Sequence, residues 1–363
     1  MKSEWDKGMK LTWGDIISLE YGKPVPDKFQ TNGDVPVFGT NGQIGTSNLP
    51  PLCSHASTIV GRKGAYRGVH YSNVPFSVID TAFFVEETTK LTDSKWIYYK
   101  LLTLDINRMD SGSAIPSTDR SEIYSLPVTV PPLPTQRKIA SILSALDDKI
   151  EINNAICRNL EEQAEAIFSQ YYQKENEPRL FTSVIQISGG GTPKTSEPSF
   201  WNGNIPFFTP KDAESPFAFT TEKTLTEEGL NNCSSILYPE WTTFITARGT
   251  VGKISLAGRA MAMNQSCYAL ISEEIHPLLI YFYALVVVKS LKQKASGAVF
   301  DAIVTRDFDR EEIKLLKKDE QQLLLMRIEP IYTQIRSLKL ENLKLAETRS
   351  ALISKLMSGE LTV

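Results

Sequence analysis

Apolar residues recur at alternating steps of four and three from the middle of the chain onward. The first series runs Ile139, Leu143, Leu146, Ile150, Asn153, Cys157, Leu160, Ala164, Ile167, Tyr171. Adding 185 to each number gives Leu324, Ile328, Ile331, Ile335, Leu338, Asn342, Leu345, Arg349, Leu352 and Leu356. Seventeen of these twenty positions are apolar, where an average hydrophobic content of 41% would supply about eight. A seam of period about 3.5 kept over this many turns is the pattern of a coiled coil. It predicts two helices of about 36 residues, each about 54 Å long, with each seam packed on its own copy. Asn153 and Asn342 are polar intruders that either fix register or lie at a solvated edge.

Local signals set the expected ends of these helices. "PPLP" (Pro131–Pro134) closes the preceding strand-rich region, which leaves Thr135 as the expected N-cap. Asp319 with Gln322 resembles a capping box at the start of the second helix. Pro178 lies beyond the end of the first, and Gly359 is placed to close the second in the left-handed region.

The shift of 185 also relates the regions outside the seams. "TIVGRKGAYRGV" (Thr58–Val69) falls on "TFITARGTVGKI" (Thr243–Ile254), and Ser111-Gly112 falls on Ser296-Gly297. Further upstream the shift is 170, where "VPVFGTNG" from Val35 meets "IPFFTPKD" from Ile205, so the second half carries an insertion of 15 residues (185 less 170). Short strand-like runs broken by Gly and Pro, with one helix per copy, predict α+β heads. The helices are "SKWIYYKLLTLDINRM" and "HPLLIYFYALVVVKSLKQK". Two related modules, each with a long helix, should pair about a pseudo-twofold axis. Parallel helices would put both heads at one end. Antiparallel helices would make a ruler able to hold two heads about 34–36 Å apart, one turn of B-DNA.

Composition narrows the function. With 363 residues, about two or three domains are expected. The amino terminus "MKSEWDKGMK" lacks the apolar core of a signal peptide, and the run Pro277–Val288 is too short to span a bilayer. Cys53, Cys157, Cys233 and Cys267 are scattered and only three histidines occur, so neither a metal site nor a disulfide framework is expected. "GGGTPKT" (Gly189–Thr195) lacks the spacing of a phosphate loop, and no catalytic tetrapeptide or nucleophile elbow is present. The carboxylate pairs Asp147-Asp148 and Glu161-Glu162 lie on the predicted coiled-coil helix, as exposed charge.

A net charge of −3 gives no whole-chain signature of nucleic-acid binding, so any positive surface must be local. The glycine-flanked loops supply it. Arg62, Lys63, Tyr66 and Arg67 in the first copy, and Arg248 and Lys253 in the second, can hold phosphates or read guanine. Thr40, Asn41 and Gln43, against Thr209, Lys211 and Asp212, are side chains able to address base edges. Their identities differ between the copies, so two heads on one frame would read two different half-sites.

"SLPVTVPPLPTQRKIASILSALDDKI" (Ser125–Ile150), "SGGGTPKTSEPSFWNGNIPFFTPKDA" (Ser188–Ala213) and "SALISKLMSGEL" (Ser350–Leu361) carry a family likeness. On these motifs the chain resembles a specificity subunit of type I restriction–modification systems over nearly its whole length. The resemblance implies two tandem target-recognition domains, residues 1–134 and 176–318, separated by an antiparallel pair of helices, residues 135–175 and 319–363. It implies that each domain reads half of a bipartite site in double-stranded DNA. It further implies that the helices scaffold two adenine-methyltransferase subunits and that two restriction–translocation subunits join. This non-catalytic, cytoplasmic chain would then bind no cofactor, with S-adenosylmethionine and ATP on the partners. Two departures stand out: Thr135-Gln136 replaces the family's Glu-Gln, and the second copy lacks the Pro-Pro lead-in before "LLKKDEQQ". The alternative reading is a protein–protein adaptor with peptide-binding heads. An enzyme acting on DNA unaided is disfavoured by the missing catalytic motifs.

Overall fold

The computed structural model describes residues 8–26, 33–109, 116–174, 177–294 and 302–363. Ser111-Gly112, Ser296-Gly297 and the stretch Met1–Lys7 lie outside them. The first head begins with β1 (Met9–Thr12), α1 (Trp13–Ile16) and β2 (Ile17–Tyr21). It continues through β3 (Val35–Gly39), β4 (Gly42–Ser47), β5 (Ser57–Gly61), β6 (Val69–Ser72), β7 (Ser77–Val78) and β8 (Ala82–Glu87). It closes with α2 (Ser94–Leu101), α3 (Arg120–Ser125) and β9 (Pro127–Val130), which leads into α4 (Leu133–Tyr172).

The second head repeats this order. It opens with β10 (Glu177–Leu180), α5 (Phe181–Val184), β11 (Gln186–Gly189) and β12 (Trp201–Phe208). Then come β13 (Phe217–Ala218), β14 (Lys223–Leu225), α6 (Glu227–Asn231), β15 (Thr243–Thr246), β16 (Ile254–Ala257), β17 (Ala262–Met263) and β18 (Cys267–Ile271). It ends with α7 (Pro277–Lys294), α8 (Thr305–Phe308) and β19 (Glu312–Leu315), followed by α9 (Lys318–Ser358).

Sheet orders β1-β9, β2-β8-β5-β6 and β4-β3-β7 in the first head recur as β10-β19, β11-β18-β15-β16-β13 and β14-β12-β17 in the second. The repeat extends to single residues. An isolated bridge joins Cys53 to Phe76, and another joins Tyr238 to Met261, both pairs 185 apart. Lys63↔Ser117 and Arg248↔Ala302 match in the same way. The extra residues of the second copy lie between β12 and β15 and carry β13 and α6. "GGGTPKT" is explained by packing. A Cβ on Gly190 would sit 2.1 Å from the Asn264 carbonyl oxygen, as one on Gly22 would sit 2.0 Å from that of Ile79. Only glycine lets the chain pass so close.

The chain divides into two units, residues 1–151 with 343–363, and residues 152–342. Both long helices run through both units, so each unit holds the beginning of one helix and the end of the other. In the first unit, Ile139, Ala140 and Leu143 share a core with Trp96, Tyr99, Leu356 and Met357, with Leu352 and Ile353 packed against it. Asp147 accepts hydrogen bonds from Tyr99 Oη, at 2.5 Å, and from the Arg349 guanidinium. It is thus a half-buried anchor, and its expected role as free surface charge is corrected.

In the second unit, Asn153 Nδ2 donates to Asn342 Oδ1 at 2.9 Å and to Glu341 Oε2 at 2.8 Å, while Lys174 pairs with Glu320. Residue numbers rise on one segment as they fall on the other, so the segments are antiparallel. Asn153 is fully buried, which decides against a solvated edge. Leu324, Ile328 and Ile335 are fully buried, and Leu146, Ile150, Leu160, Ile167, Ile331, Leu345 and Leu352 are half-buried. Phe168 and Tyr332, just outside the seam, are buried deeper than several of its members: Phe168 stacks on Phe282, and Tyr332 packs against Phe217 and Tyr281.

Three expected helix ends move. α4 starts at Leu133, and Thr135 lies inside its first turn, its amide bonded to the Pro132 carbonyl. A proline at the second helical position costs nothing there, because that amide has no intrahelical partner. α9 starts at Lys318, so Asp319 is a first-turn residue beside Glu320 and favours the helix dipole instead of capping it. The helix expected from Ser94 to Met109 stops at Leu101, where Thr103 Oγ1 takes the Lys100 carbonyl, and a single turn follows at Ile106–Arg108. Gly359 has φ +81°, as expected for the residue closing α9.

Candidate nucleic-acid interface

In the first head Thr40 and Asn41 form the two-residue turn between β3 and β4. Thr40 Oγ1 lies 2.8 Å from the Lys63 carbonyl oxygen and 2.9 Å from that of Thr81, and the Thr40 carbonyl accepts the Gly68 amide. The turn is therefore fastened to the loop Arg62–Gly68 between β5 and β6. Gly61 permits this, since its Cβ would meet Thr40 O at 2.7 Å. His70 lies beneath the loop, close to Gly42 and Gly68, and burial holds it below the usual histidine range, so it is neutral at pH 7.

The side chains of this loop separate into two groups. Asn41, Gln43 and Tyr66 point to solvent, Tyr66 being 79% exposed. Lys63 is half-exposed, with its ammonium 3.4 Å from Asp80 Oδ2. Arg62 and Arg67 face inward. Arg62 rests over the Tyr21 ring, 4.8 Å from its centroid, and donates to the Asp80 carbonyl. Arg67 is 3% exposed, with its guanidinium bonded to Thr118 Oγ1 at 3.1 Å and to the Asn107 carbonyl at 2.8 Å. The expectation that Arg67 holds phosphate is therefore corrected: it supports the loop from within. Thr40 likewise spends its hydroxyl on the loop and not on a ligand.

The second head builds the corresponding place differently. Thr209 and Asp212 close a capping box around the single turn Pro210–Asp212, with Asp212 Oδ2 accepting the Thr209 amide and hydroxyl at 2.8 and 2.6 Å. Asp212 Oδ1 accepts the Glu222 amide, so this carboxylate is committed to structure. Thr250 Oγ1 donates to the Pro210 carbonyl and ties this turn to the loop Ala247–Lys253. A cleft of about 350 Å³ gathers Thr209, Lys211 and Arg248 together with Lys223, Asn264 and Ser266. Lys253 is not among them; it lines a separate cavity of about 810 Å³ with Lys289 and Lys292.

Lys223 and Asn264 were not legible as site residues. Lys223 lies on β14, the counterpart of β4, at the place where the first copy has Gly45, and Asn264 corresponds to the apolar Ile79 of the first copy. What the cleft offers chemically is three cationic side chains, tempered by Glu222, and the amide of Asn264. These are groups that hold phosphate oxygens and address base edges. No helix among the described residues is long and apolar enough to cross a membrane.

Comparison with known proteins agrees with this architecture. Over 155 residues the chain is 26% identical to a type I restriction enzyme specificity subunit, MjaIX, of Methanocaldococcus jannaschii, covering 41% of this chain and only 36% of that one. It is 21% identical to the HindI specificity subunit of Haemophilus influenzae across 78% of this chain and 81% of that one. The crystal structure of a type I restriction–modification S subunit from M. genitalium superposes with a TM-score of 0.60 at 16% identity, covering 96% of both chains, and so shares the fold. The family model described as type I restriction modification DNA specificity domain matches residues 5–162 and again 173–347. Two tandem copies of that domain account for nearly the whole chain, which therefore belongs to the type I restriction–modification DNA specificity family.

Proposed function

We propose that each head of this specificity subunit reads one half of a bipartite site in double-stranded DNA. The observation that carries this reading is the repeated meeting of the same two loops. In each head a turn after the third strand is tied to a glycine-rich basic loop, on a shared frame and with different exposed side chains. Lys63, Arg248, Lys211 and Lys223 position the heads on phosphates, and Asn41, Gln43, Tyr66 and Asn264 face the bases, while Thr209, its hydroxyl spent on Asp212, shapes the turn. Arg62 and Lys253 contribute at the margins.

In this reading the paired helices scaffold two methyltransferase subunits, and two restriction–translocation subunits join the complex. The chain itself is non-catalytic and carries neither S-adenosylmethionine nor ATP, which belong to the partners. Family membership favours this over a peptide-binding adaptor.

The test is co-expression with the cognate methyltransferase subunit, followed by mapping of modified adenines across genomic DNA. Two short half-sites at one fixed gap are expected. An uninterrupted site, or methylation without sequence preference, would overturn the proposal.

A further inference from the structure

The scattered cysteines and three histidines predicted no metal site, yet folding assembles a ligand set in the first head. Cys53, His55 and Glu86 present a sulfur, an imidazole and a carboxylate with all three ligand atoms within 4.8 Å of one another. His55 Nε2 lies 3.5 Å from Glu86 Oε2, and both His55 ring nitrogens lie 3.8 Å from Cys53 Sγ. Bonds of about 2.0–2.3 Å to a tetrahedral zinc ion place neighbouring ligand atoms about 3.3–3.7 Å apart. The His55–Glu86 separation falls in that range and the His55–Cys53 separation just outside it, and side-chain rotation on a fixed backbone completes the match.

The backbone holds the three groups in place from different directions. Cys53 exchanges both backbone hydrogen bonds with Phe76, at 2.9 and 3.0 Å. His55 stands two residues before β5, which pairs with β8, the strand that carries Glu86. Cys53 is buried, whereas the side chains of His55 and Glu86 are 49% and 42% exposed, so an ion can enter from solvent.

The second head shows that its frame does not require these residues. Tyr238, Glu240 and Ile271 occupy the corresponding positions. Tyr238 makes the matching bridge and bonds Ser188 Oγ at 2.8 Å, while Glu240 pairs with Arg336. Two of the three positions thus serve packing and ion pairing where the first head keeps a thiol and an imidazole.

We propose that Cys53, His55 and Glu86 bind a zinc ion that clasps the loop between β4 and β5 to the sheet of the first head. Binding forms bonds from the metal to sulfur, nitrogen and oxygen and releases the thiol proton to solvent. Thiolate and carboxylate together balance the two positive charges. Three protein ligands leave the fourth position to water. Zinc is favoured over magnesium or calcium because the set is sulfur and nitrogen with a single oxygen.

The test is zinc titration of the purified full chain against a chromophoric chelator, with cobalt substitution as a second readout. One zinc per chain is expected, with thiolate-to-cobalt charge-transfer absorption. Cys53→Ser, His55→Ala and Glu86→Gln should each weaken binding by at least about 100-fold, more than the loss of an outer-shell partner. Cys233→Ser, at the partly exposed cysteine, should change nothing. His55 is a surface residue, so thermal unfolding of metal-free His55→Ala should match the parent and show that the head is folded. Zinc bound equally well by the parent and the three variants, or not bound by the parent at all, would overturn the proposal.

Discussion

Under the basic loop of the first head lies Arg67, a buried cation carried by the loop itself and held by Asn107. At the matching places in the second head the roles are exchanged. Gly252, with φ +74°, stands where Arg67 does, and Lys292 stands where Asn107 does, its Nζ donating to the Gly252 carbonyl at 2.8 Å. The cation has moved from loop to helix, and α7 extends to Lys294 to deliver it, whereas α2 stops at Leu101. A β side chain on Gly252 would come within 2.6 Å of that lysine, so arginine and lysine could not both be accommodated without rearrangement. The two heads preserve a cation–carbonyl contact rather than a residue, and this frees the outward side chains above it to differ.

The comparison is tested most severely in the helices. Leu143 and Ile328 are equivalent positions, both fully buried. Leu143→Ala and Ile328→Ala should each cost about 2–5 kcal/mol, read as a lowered denaturant midpoint. If only one of them destabilised, the equivalence of the two seams would be broken. A smaller effect is expected beneath the loops. Arg67→Ala removes two hydrogen bonds of a buried charged group and should cost about 1.5–3 kcal/mol, whereas Lys292→Ala, at an exposed residue, should cost under about 1 kcal/mol. Chemical denaturation of the two variants checks the order, and equal losses would deny that the contact is carried more deeply in the first head. The smallest effect concerns salt. Arg248→Ala should lower the slope of log affinity against log salt by about one, measured on DNA bearing the cognate site. Lys63→Ala should lower it by less, since Asp80 already neutralises part of that charge. Unchanged slopes in both would remove these residues from the phosphate-contacting set.

Much of the frame was readable in the chain alone because it is periodic or self-similar. A seam of fixed step and a constant shift of 185 survive without knowledge of distant contacts. The insertion, the α+β heads and the role of Gly359 follow from such local signals. Arg67 was misread because its partners lie 40 and 51 residues away, and nothing near it in the chain announces them. Asp212 was misread for a different reason. Its carboxylate closes a capping box only because Thr209 begins a single helical turn, and proline-containing turns of that length leave no periodic trace. The start of α4 moved for a related cause, since Pro134 reads as a stop in the chain and serves as an early helical residue in the fold. The roles of Gln136 and Gln321 have no local signal either. Each donates from Nε2 to the carbonyl five residues before it, Pro131 or Leu316, at 2.8 Å, and so fixes the entry to its helix in the same way.

The amide of Asn153 has a consequence for misassembly. Sliding its helix segment by about one heptad would set that amide against Ile335 in place of Asn342, so that the bond from Nδ2 to the Asn342 oxygen is lost. A stranded amide costs about 1–3 kcal/mol, so the wrong alignment is punished more than the right one is rewarded. The second unit can therefore surrender some greasy contact to mutation and still refuse to settle out of step.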